Sequence, residues 1–212
     1  MLNQNEKDLL YRINSNADLR AVPERDIPEL CRDIREFLVE NVSHTGGHLA
    51  SNLGSVELTV ALHRVYDPMK DRILFDVGHQ SYVHKILTGR RDSFDTLRQL
   101  DGVSGFPKPC ESNADPFLAG HASDSVSLAA GMARARTLMH GNYDVVAVVG
   151  DGAMTGGLCF EGLSDLGARL PWSFSTTTAC PSTKMSAAWR DCSAAHARAP
   201  DISASSGRTA AL

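Results

Sequence analysis

The sequence has few cysteines, few aromatic residues and no long apolar run, and each shortage excludes a class of protein. Its five cysteines, at positions Cys31, Cys110, Cys159, Cys180 and Cys192, form no CxxC pair. Neither a disulfide framework nor a zinc knuckle is therefore predicted, and we expect free thiols. No apolar stretch reaches the roughly 20 residues that span a bilayer, and the amino terminus lacks the basic-then-apolar order of a signal peptide. We expect a soluble, cytoplasmic protein.

Clustered basic charge is missing as well. The formal net charge is −4 and Lys and Arg form no long run, whereas nucleic acids and anionic membranes are bound by a concentrated basic face. We expect neither as a partner. The composition that remains, 42% hydrophobic and 22% charged residues, is typical of a globular domain.

The character of the sequence changes near Pro171. Apolar, glycine-rich and charged stretches alternate over residues 1–171, whereas Ala, Ser and Thr dominate residues 172–212 without a helical or strand period. We expect a folded domain over 1–171 and an unstructured tail over 172–212.

Helical and strand patterns alternate within the first part. A helix is predicted after Pro28, whose fixed φ suits a first turn, and a second helix from near Ser55. Apolar runs at Ile73–Val77 and Val145–Val149 predict two short buried strands, each followed by a polar turn with glycine. This order indicates an α/β fold with a parallel sheet, in which ligands bind at the carboxyl ends of the strands.

The turn after the second strand, GDGAMTGG, places Asp151 between two glycines. A carboxylate there, beside a backbone that a ligand can approach closely, suits a divalent cation that bridges to a diphosphate. The same carboxylate could instead cap the helix that follows. The motif alone leaves both interpretations open.

A second glycine-containing segment, Gly120, His121 and Ala122, comes directly before a predicted helix. The polar residues Ser123–Ser125 can cap the free amides at the start of that helix. The segment either lines a ligand pocket or belongs to an ordinary capped helix.

Two further histidines, His48 and His79, lie in glycine-containing turns. Imidazole titrates near neutral pH, so they are candidate proton carriers or polar anchors, or else surface histidines. His44 and His48 also have the spacing of two metal ligands on a helix, but Gly46 and Gly47 between them argue against a zinc-binding helix.

Four segments, taken together and in this order, carry a resemblance to a known family: GGHLASNLGSVELTVALH, FDVGHQSYVHKILTGRRDSFDTLRQ, GVSGFPKPCESNADPFLAGHASDSVSLAAGMA and VVAVVGDGAMTGGLCFEGL. From about Leu2 to about Pro171 the chain resembles the amino-terminal domain of the 1-deoxy-D-xylulose-5-phosphate synthase family, which are transketolase-like thiamine diphosphate enzymes. The segment HKILTGRRDSFDTLRQ and the short path from GFP to GHAS distinguish these synthases from transketolase itself.

The resemblance implies an incomplete thiamine-diphosphate-binding fold, in which helices flank a parallel sheet. It implies a decarboxylative condensation of pyruvate with glyceraldehyde 3-phosphate, which feeds isoprenoid, thiamine and pyridoxal biosynthesis, and a homodimer. His48 and His79 would be catalytic and Asp151 would bind Mg²⁺. The residues that would bind the cofactor are His79, Gly120, His121, Ala122, Gly152 and Ala153.

The sequence departs from the family after residue 171. There the family has an apolar strand, an Asn-Asp-Asn turn whose second Asn binds the metal, and a segment like GMSIDENVGGM. This chain has PWSFSTTTACPSTKMSAAWR instead. With suitable synonymous codons, Ser175 to Trp189 read from one base earlier give NDNGMSIDENVGGM. We interpret the tail as a one-base frameshift near Leu170 and Pro171, either a deletion or a sequencing error.

This departure has consequences for activity and folding. The tail lacks the second metal ligand, and the glutamate that activates the cofactor lies in the family's second domain. We therefore expect the chain alone to be inactive, and to aggregate or be only partly ordered because its sheet lacks a strand. One alternative is a non-catalytic product of a disrupted gene. Another is a half-subunit whose partner brings the glutamate, although a working half-subunit should keep its metal-ligand turn.

Overall fold

The computed structural model of the protein describes residues 9–169. Its helices and strands follow in this order: α1 (Asn16–Ala21), α2 (Ile27–Thr45), α3 (Leu49–Leu53), α4 (Val56–Val65), β1 (Arg72–Phe75), α5 (Tyr82–Lys85), α6 (Ser125–Leu138), β2 (Val145–Val148) and α7 (Gly157–Arg169). Short 3-10 or π turns lie between them: Leu9–Arg12, Glu24–Asp26, Ile86–Arg90, Arg91–Thr96 and Ala153–Thr155. The predicted unstructured tail, residues 172–212, and the predicted frameshift lie outside the described residues.

The two strands form a parallel pair, as predicted. Arg72 pairs with Val145, and the register continues to Phe75 and Val148. Both strands are shorter than the apolar runs suggest, and the prediction that the second strand is buried is wrong, because every residue of β2 is half-buried. β1 ends at Phe75 rather than Val77, because Val77 has a φ of +59°, a left-handed conformation that a strand does not accommodate. The backbone leaves the sheet two residues early and turns toward the site.

The predicted helix after Pro28 is α2. Pro28 lies in its first turn, where a missing N–H costs no hydrogen bond. The helix ends at Thr45 because Gly46, with a φ of +74°, turns the chain away. The second predicted helix, α4, begins directly after Ser55, so both predicted helix starts are confirmed.

The main apolar core lies between α1, α2, α4, α5 and the 3-10 turn Arg91–Thr96. α2 buries one side, including Leu30, Ile34 and Leu38, none of which is exposed. A second, much smaller cluster joins α6 to α7, and its buried members are Val126, Met154 and Cys159. The part of the molecule around β2 is therefore held by far less buried apolar surface than the helices of the amino-terminal half.

The described cysteines are free, as predicted. Cys31 and Cys159 are buried and Cys110 is exposed, while the other two predicted free thiols lie outside the described residues. Between residues 9 and 169, no helix has both the length and the apolarity needed to cross a membrane.

Candidate functional site

Three loops meet at the carboxyl ends of the two strands. Val77, in the loop after β1, donates its backbone N–H to the carbonyl of His121 at 3.1 Å. Ser123, just before α6, donates its hydroxyl to the carbonyl of Ala153, in the loop after β2, at 2.6 Å. The structure therefore joins the segment with His121 to both strand ends, where ligands bind in parallel sheets.

Asp76 fixes the start of α6. Its carboxylate is 1% exposed and accepts the backbone N–H groups of Ser123 at 2.9 Å and Ser125 at 3.2 Å, and the Ser125 hydroxyl at 2.6 Å. The prediction that the side chains of Ser123–Ser125 cap this helix is wrong, because no side chain of the helix start accepts from its amides. Burial and the Asp76 charge raise the pKa of the neighbouring Asp124.

Asp151 has one oxygen that the protein satisfies and one that it does not. Oδ1 accepts the backbone N–H of Gly152 at 2.9 Å, whereas Oδ2 is buried and has no hydrogen-bond partner among the described residues. The alternative of a helix cap is not supported, since the turn Ala153–Thr155 has no side-chain cap. A buried acceptor without a donor fits a bound cation.

The described residues do not surround such a cation by themselves. No group of three His, Cys, Asp or Glu side chains within residues 9–169 could hold a metal ion. A cation at Asp151 would therefore need oxygens from a ligand or from water, which is how Mg²⁺ usually binds beside a phosphate.

The backbone near Asp151 leaves room for a ligand. Gly120 has a φ of +143°, a conformation that L side chains rarely adopt. Apart from the adjacent residues of the chain, no described atom lies within 4 Å of the place where a Cβ would project from Gly120 or Gly152. His121 and Ala122 are exposed. The two segments predicted to contact a diphosphate are thus open on one side.

His48 and His79 lie next to each other, with ring centroids 5.4 Å apart. Asn52, fully buried, holds their backbones together: its Nδ2 donates to the carbonyls of His48 at 2.6 Å and His79 at 2.8 Å. Its Oδ1 accepts the N–H of Tyr82 at 2.8 Å. Sequence reasoning did not identify Asn52, because only its burial between two distant loops reveals the role.

The two imidazoles have different surroundings. His48 is exposed, whereas His79 is half-buried and its Nδ1 has no hydrogen-bond partner among the described residues. Burial lowers the pKa of His79, the nearby His48 lowers it further, and Asp76 opposes the shift. His79 is therefore neutral near pH 7, with a ring nitrogen free to exchange a proton with a ligand. His44, on α2, is separated from His48 by the Gly46 turn, so the argument against a metal-binding pair on one helix is confirmed.

The fold defines the class of protein. Transketolase from Leishmania mexicana has a similar structure, with a TM-score of 0.55 and 21% identity over 65% of this chain and 24% of that one. The described residues thus have a transketolase-like fold. A family model described as 1-deoxy-D-xylulose-5-phosphate synthase matches residues 10–171, and the chain belongs to that family.

Curated relatives agree with this assignment. The 1-deoxy-D-xylulose-5-phosphate synthase of Natranaerobius thermophilus is 56% identical over 159 residues, which are 75% of this chain and 25% of the relative. That of Alkaliphilus oremlandii is 58% identical over 158 residues, or 74% and 25%. The chain spans about a quarter of the length of these relatives. All predicted site residues lie within the matched range 10–171.

Proposed function

We propose that residues 1–171 are the partial diphosphate-binding domain of a 1-deoxy-D-xylulose-5-phosphate synthase. The reaction would be the thiamine diphosphate-dependent decarboxylative condensation of pyruvate with glyceraldehyde 3-phosphate, in a cytoplasmic homodimer that supplies isoprenoid, thiamine and pyridoxal biosynthesis. The observation that carries this proposal is the buried, unpartnered Oδ2 of Asp151, in a loop hydrogen-bonded to the segment before α6. The identity of the cofactor, thiamine diphosphate, is inferred from the family to which the chain belongs.

The open backbone segments would hold the diphosphate end of the cofactor. Asp151 would bind Mg²⁺ through Oδ2, and Gly152 and Ala153 would lie beside the phosphates. Gly120, His121 and Ala122 would contact the same end from the other loop. Asp76 and Ser123 hold both loops in place through hydrogen bonds. The backbone groups of the loops are therefore oriented before any ligand arrives, which lowers the entropic cost of binding.

The histidine pair would handle protons at the reacting end. Thiamine diphosphate, when bound, supplies the stabilisation of negative charge that the loss of CO₂ requires. His79, neutral at pH 7, can accept a proton at its unpartnered Nδ1, and the exposed His48 lies beside it. Both can also donate hydrogen bonds to the oxygens of a 2-oxo acid.

We further propose that residues 172–212 are read in a shifted frame, so that the chain as written is inactive. The tail lacks the family's second metal ligand, and catalytic groups that act as a unit lose nearly all activity when half are missing. A non-catalytic product of a disrupted gene is the second candidate, and the sequence departure after Pro171 favours it.

Asp151 provides the test. In the gene with one base restored near the codons for Leu170 and Pro171, the Asp151→Asn variant should lose synthase activity by about 100-fold or more, because one ligand of the cation loses its charge. Asp95→Asn, an exposed carboxylate on a distant turn, is the matched control and should retain activity. The measurement is product formation from pyruvate and glyceraldehyde 3-phosphate at several Mg²⁺ concentrations. Equal activity of the two variants would contradict the metal site.

A further inference from the structure

Lys85 and Arg90 of the segment HKILTGRR form a cluster of charges with Glu111 and Asp115. The proposed function does not account for this cluster. Lys85 is completely buried, Asp115 is 1% exposed and Arg90 is 8% exposed. The two Asp115 oxygens lie 2.6 and 2.9 Å from the Arg90 guanidinium nitrogens, and Lys85 Nζ lies 2.5 Å from Glu111 Oε2. Burying charges is costly even when they are paired, so the cluster calls for a reason other than packing.

The Asp115 carboxylate is charged. His84 Nε2 lies 3.0 Å from Asp115 Oδ1. Burial alone would raise the pKa of Asp115, but the hydrogen bonds from His84 and Arg90, together with the Arg90 charge, hold it well below its ordinary value. A charged carboxylate is a strong acceptor for backbone N–H groups.

Glu111 and Asp115 each accept one more hydrogen bond, from opposite ends of residues 104–108. Glu111 Oε1 accepts the backbone N–H of Ser104 at 2.8 Å, and Asp115 Oδ2 accepts that of Lys108 at 2.7 Å. The buried cations therefore fix the carboxylates, and the carboxylates fix both ends of the 104–108 segment.

The middle of the 104–108 segment lies against the two histidine loops. The Phe106 ring centroid is 6.4 Å from that of His48. Pro107 Cδ lies only 2.5 Å from the place where a Cβ would project from Gly78, the residue before His79. Only glycine fits there, so the approach of the segment to this loop is close and specific.

We propose that Glu111 and Asp115 are positioning residues that hold the 104–108 segment as a wall beside the His48–His79 pair, with Phe106 as its apolar surface. Lys85 and Arg90 act indirectly, because their ion pairs hold the two carboxylates in place. The wall contacts a substrate only if the histidine pair is the reacting centre, as proposed above. Its presence and its support can be tested on the chain without any cofactor.

The test uses the full 212-residue chain labelled with ¹³C at its eight histidines. Imidazole resonances are recorded by ¹H–¹³C correlation, and that of His48 is assigned with His48→Gln. Phe106→Ala removes the aromatic ring beside His48, so the His48 resonance should shift. Glu111→Ala leaves Phe106 intact but frees one end of the wall, and should move the His48 resonance toward its position in Phe106→Ala. Glu111→Gln, which retains an acceptor for Ser104, should lie between the wild type and Glu111→Ala.

Glu36→Ala, an exposed position on α2, is the matched control and should leave His48 unchanged. The resonances of buried His63 and His84 report whether each variant is folded, and if Glu111→Ala is not, Glu111→Gln decides. A His48 resonance that Phe106→Ala does not move would overturn the wall. A His48 resonance that responds to Phe106→Ala but to neither Glu111 variant would overturn the positioning role. Neither result bears on the Asp151 metal site, so the two proposals fail separately.

Discussion

Asp76 shows how one residue joins distant parts of the candidate site. It lies directly after β1, yet its carboxylate binds the amides of Ser123 and Ser125 at the start of α6. The local sequence of that helix start has polar residues suited to capping, so a reader of the sequence expects a local cap. The real cap comes from 47 and 49 residues away, and no local pattern contains that information.

Asp76→Asn tests this role. An amide has one acceptor oxygen where the carboxylate has two, and it lacks the charge, so the N–H of Ser123 or of Ser125 loses its partner. The free energy of local opening at the first turn of α6 should fall by about 1–3 kcal/mol. Hydrogen exchange at the amides of Ser123 and Ser125 measures it, with Asp95→Asn as the control. Unchanged protection of these amides in Asp76→Asn would refute the cap.

At the scale of elements, the helices could be predicted and the ends of the strands could not. Pro28 and Ser55 mark helix starts with local backbone chemistry, and the apolar run at Ile73 marks a strand. The strand ends early because Val77 adopts a positive φ and the Asp76 carboxylate binds the start of α6. Both features result from tertiary packing. The family motifs identified the candidate site residues, whereas their supports, such as Asn52, depend on contacts that only the fold reveals.

Two buried histidines connect α4 to α5 and predict a pH dependence of stability. His63 Nε2 and His84 Nδ1 lie 2.9 Å apart, and the other side of His84 meets Asp115. Burial lowers the pKa of His63 well below 6.5, and the His84, Arg90 and Arg20 charges lower it further. Burial also lowers the pKa of His84, although Asp115 opposes the shift.

These lowered pKa values make the folded chain less stable in acid. Below about pH 6.5 the unfolded chain takes up protons that the folded chain excludes, so stability is fully present above that pH and is lost as the pH falls toward the lowered pKa values. The slope that each imidazole contributes is at most about 1.4 kcal/mol per pH unit. Urea unfolding at a series of pH values, followed by circular dichroism, measures the slope. His63→Leu should reduce it and the exposed His44→Gln should not; the same slope in all three proteins would be the opposite result.

The whole molecule is unevenly stabilised. The main core lies among the helices before residue 104, whereas the cluster beside β2 has few buried members and β2 is only half-buried along its length. Leu138 and Met139 at the end of α6 are about four-fifths exposed, at 80% and 79%. The matched residues make up only 25% of the Natranaerobius thermophilus relative, and in the proposed synthase the remainder of the protein would cover these surfaces.

This distribution predicts that the carboxyl-terminal half of the described residues is less ordered than the amino-terminal half. Amides of α2 and α4 should be protected from hydrogen exchange, and those of β2 and α7 should exchange much faster, because little apolar surface holds them. Mass spectrometry of peptides from the exchanged chain gives both values at once. Uniform protection, together with a single cooperative thermal transition that thiamine diphosphate raises, would show instead that the chain is a complete folded unit.

The nucleotide sequence across the codons for Gly167 to Thr178, read on past the stop codon, tests whether the tail is read in a shifted frame. We expect codons for Ser175 to Trp189 that read NDNGMSIDENVGGM from one base earlier, and an open frame that continues through the remainder of a synthase. Codons that do not permit this reading would contradict the account. The tail would then be a genuine sequence of its own, and the chain would have to be explained as something other than an interrupted synthase.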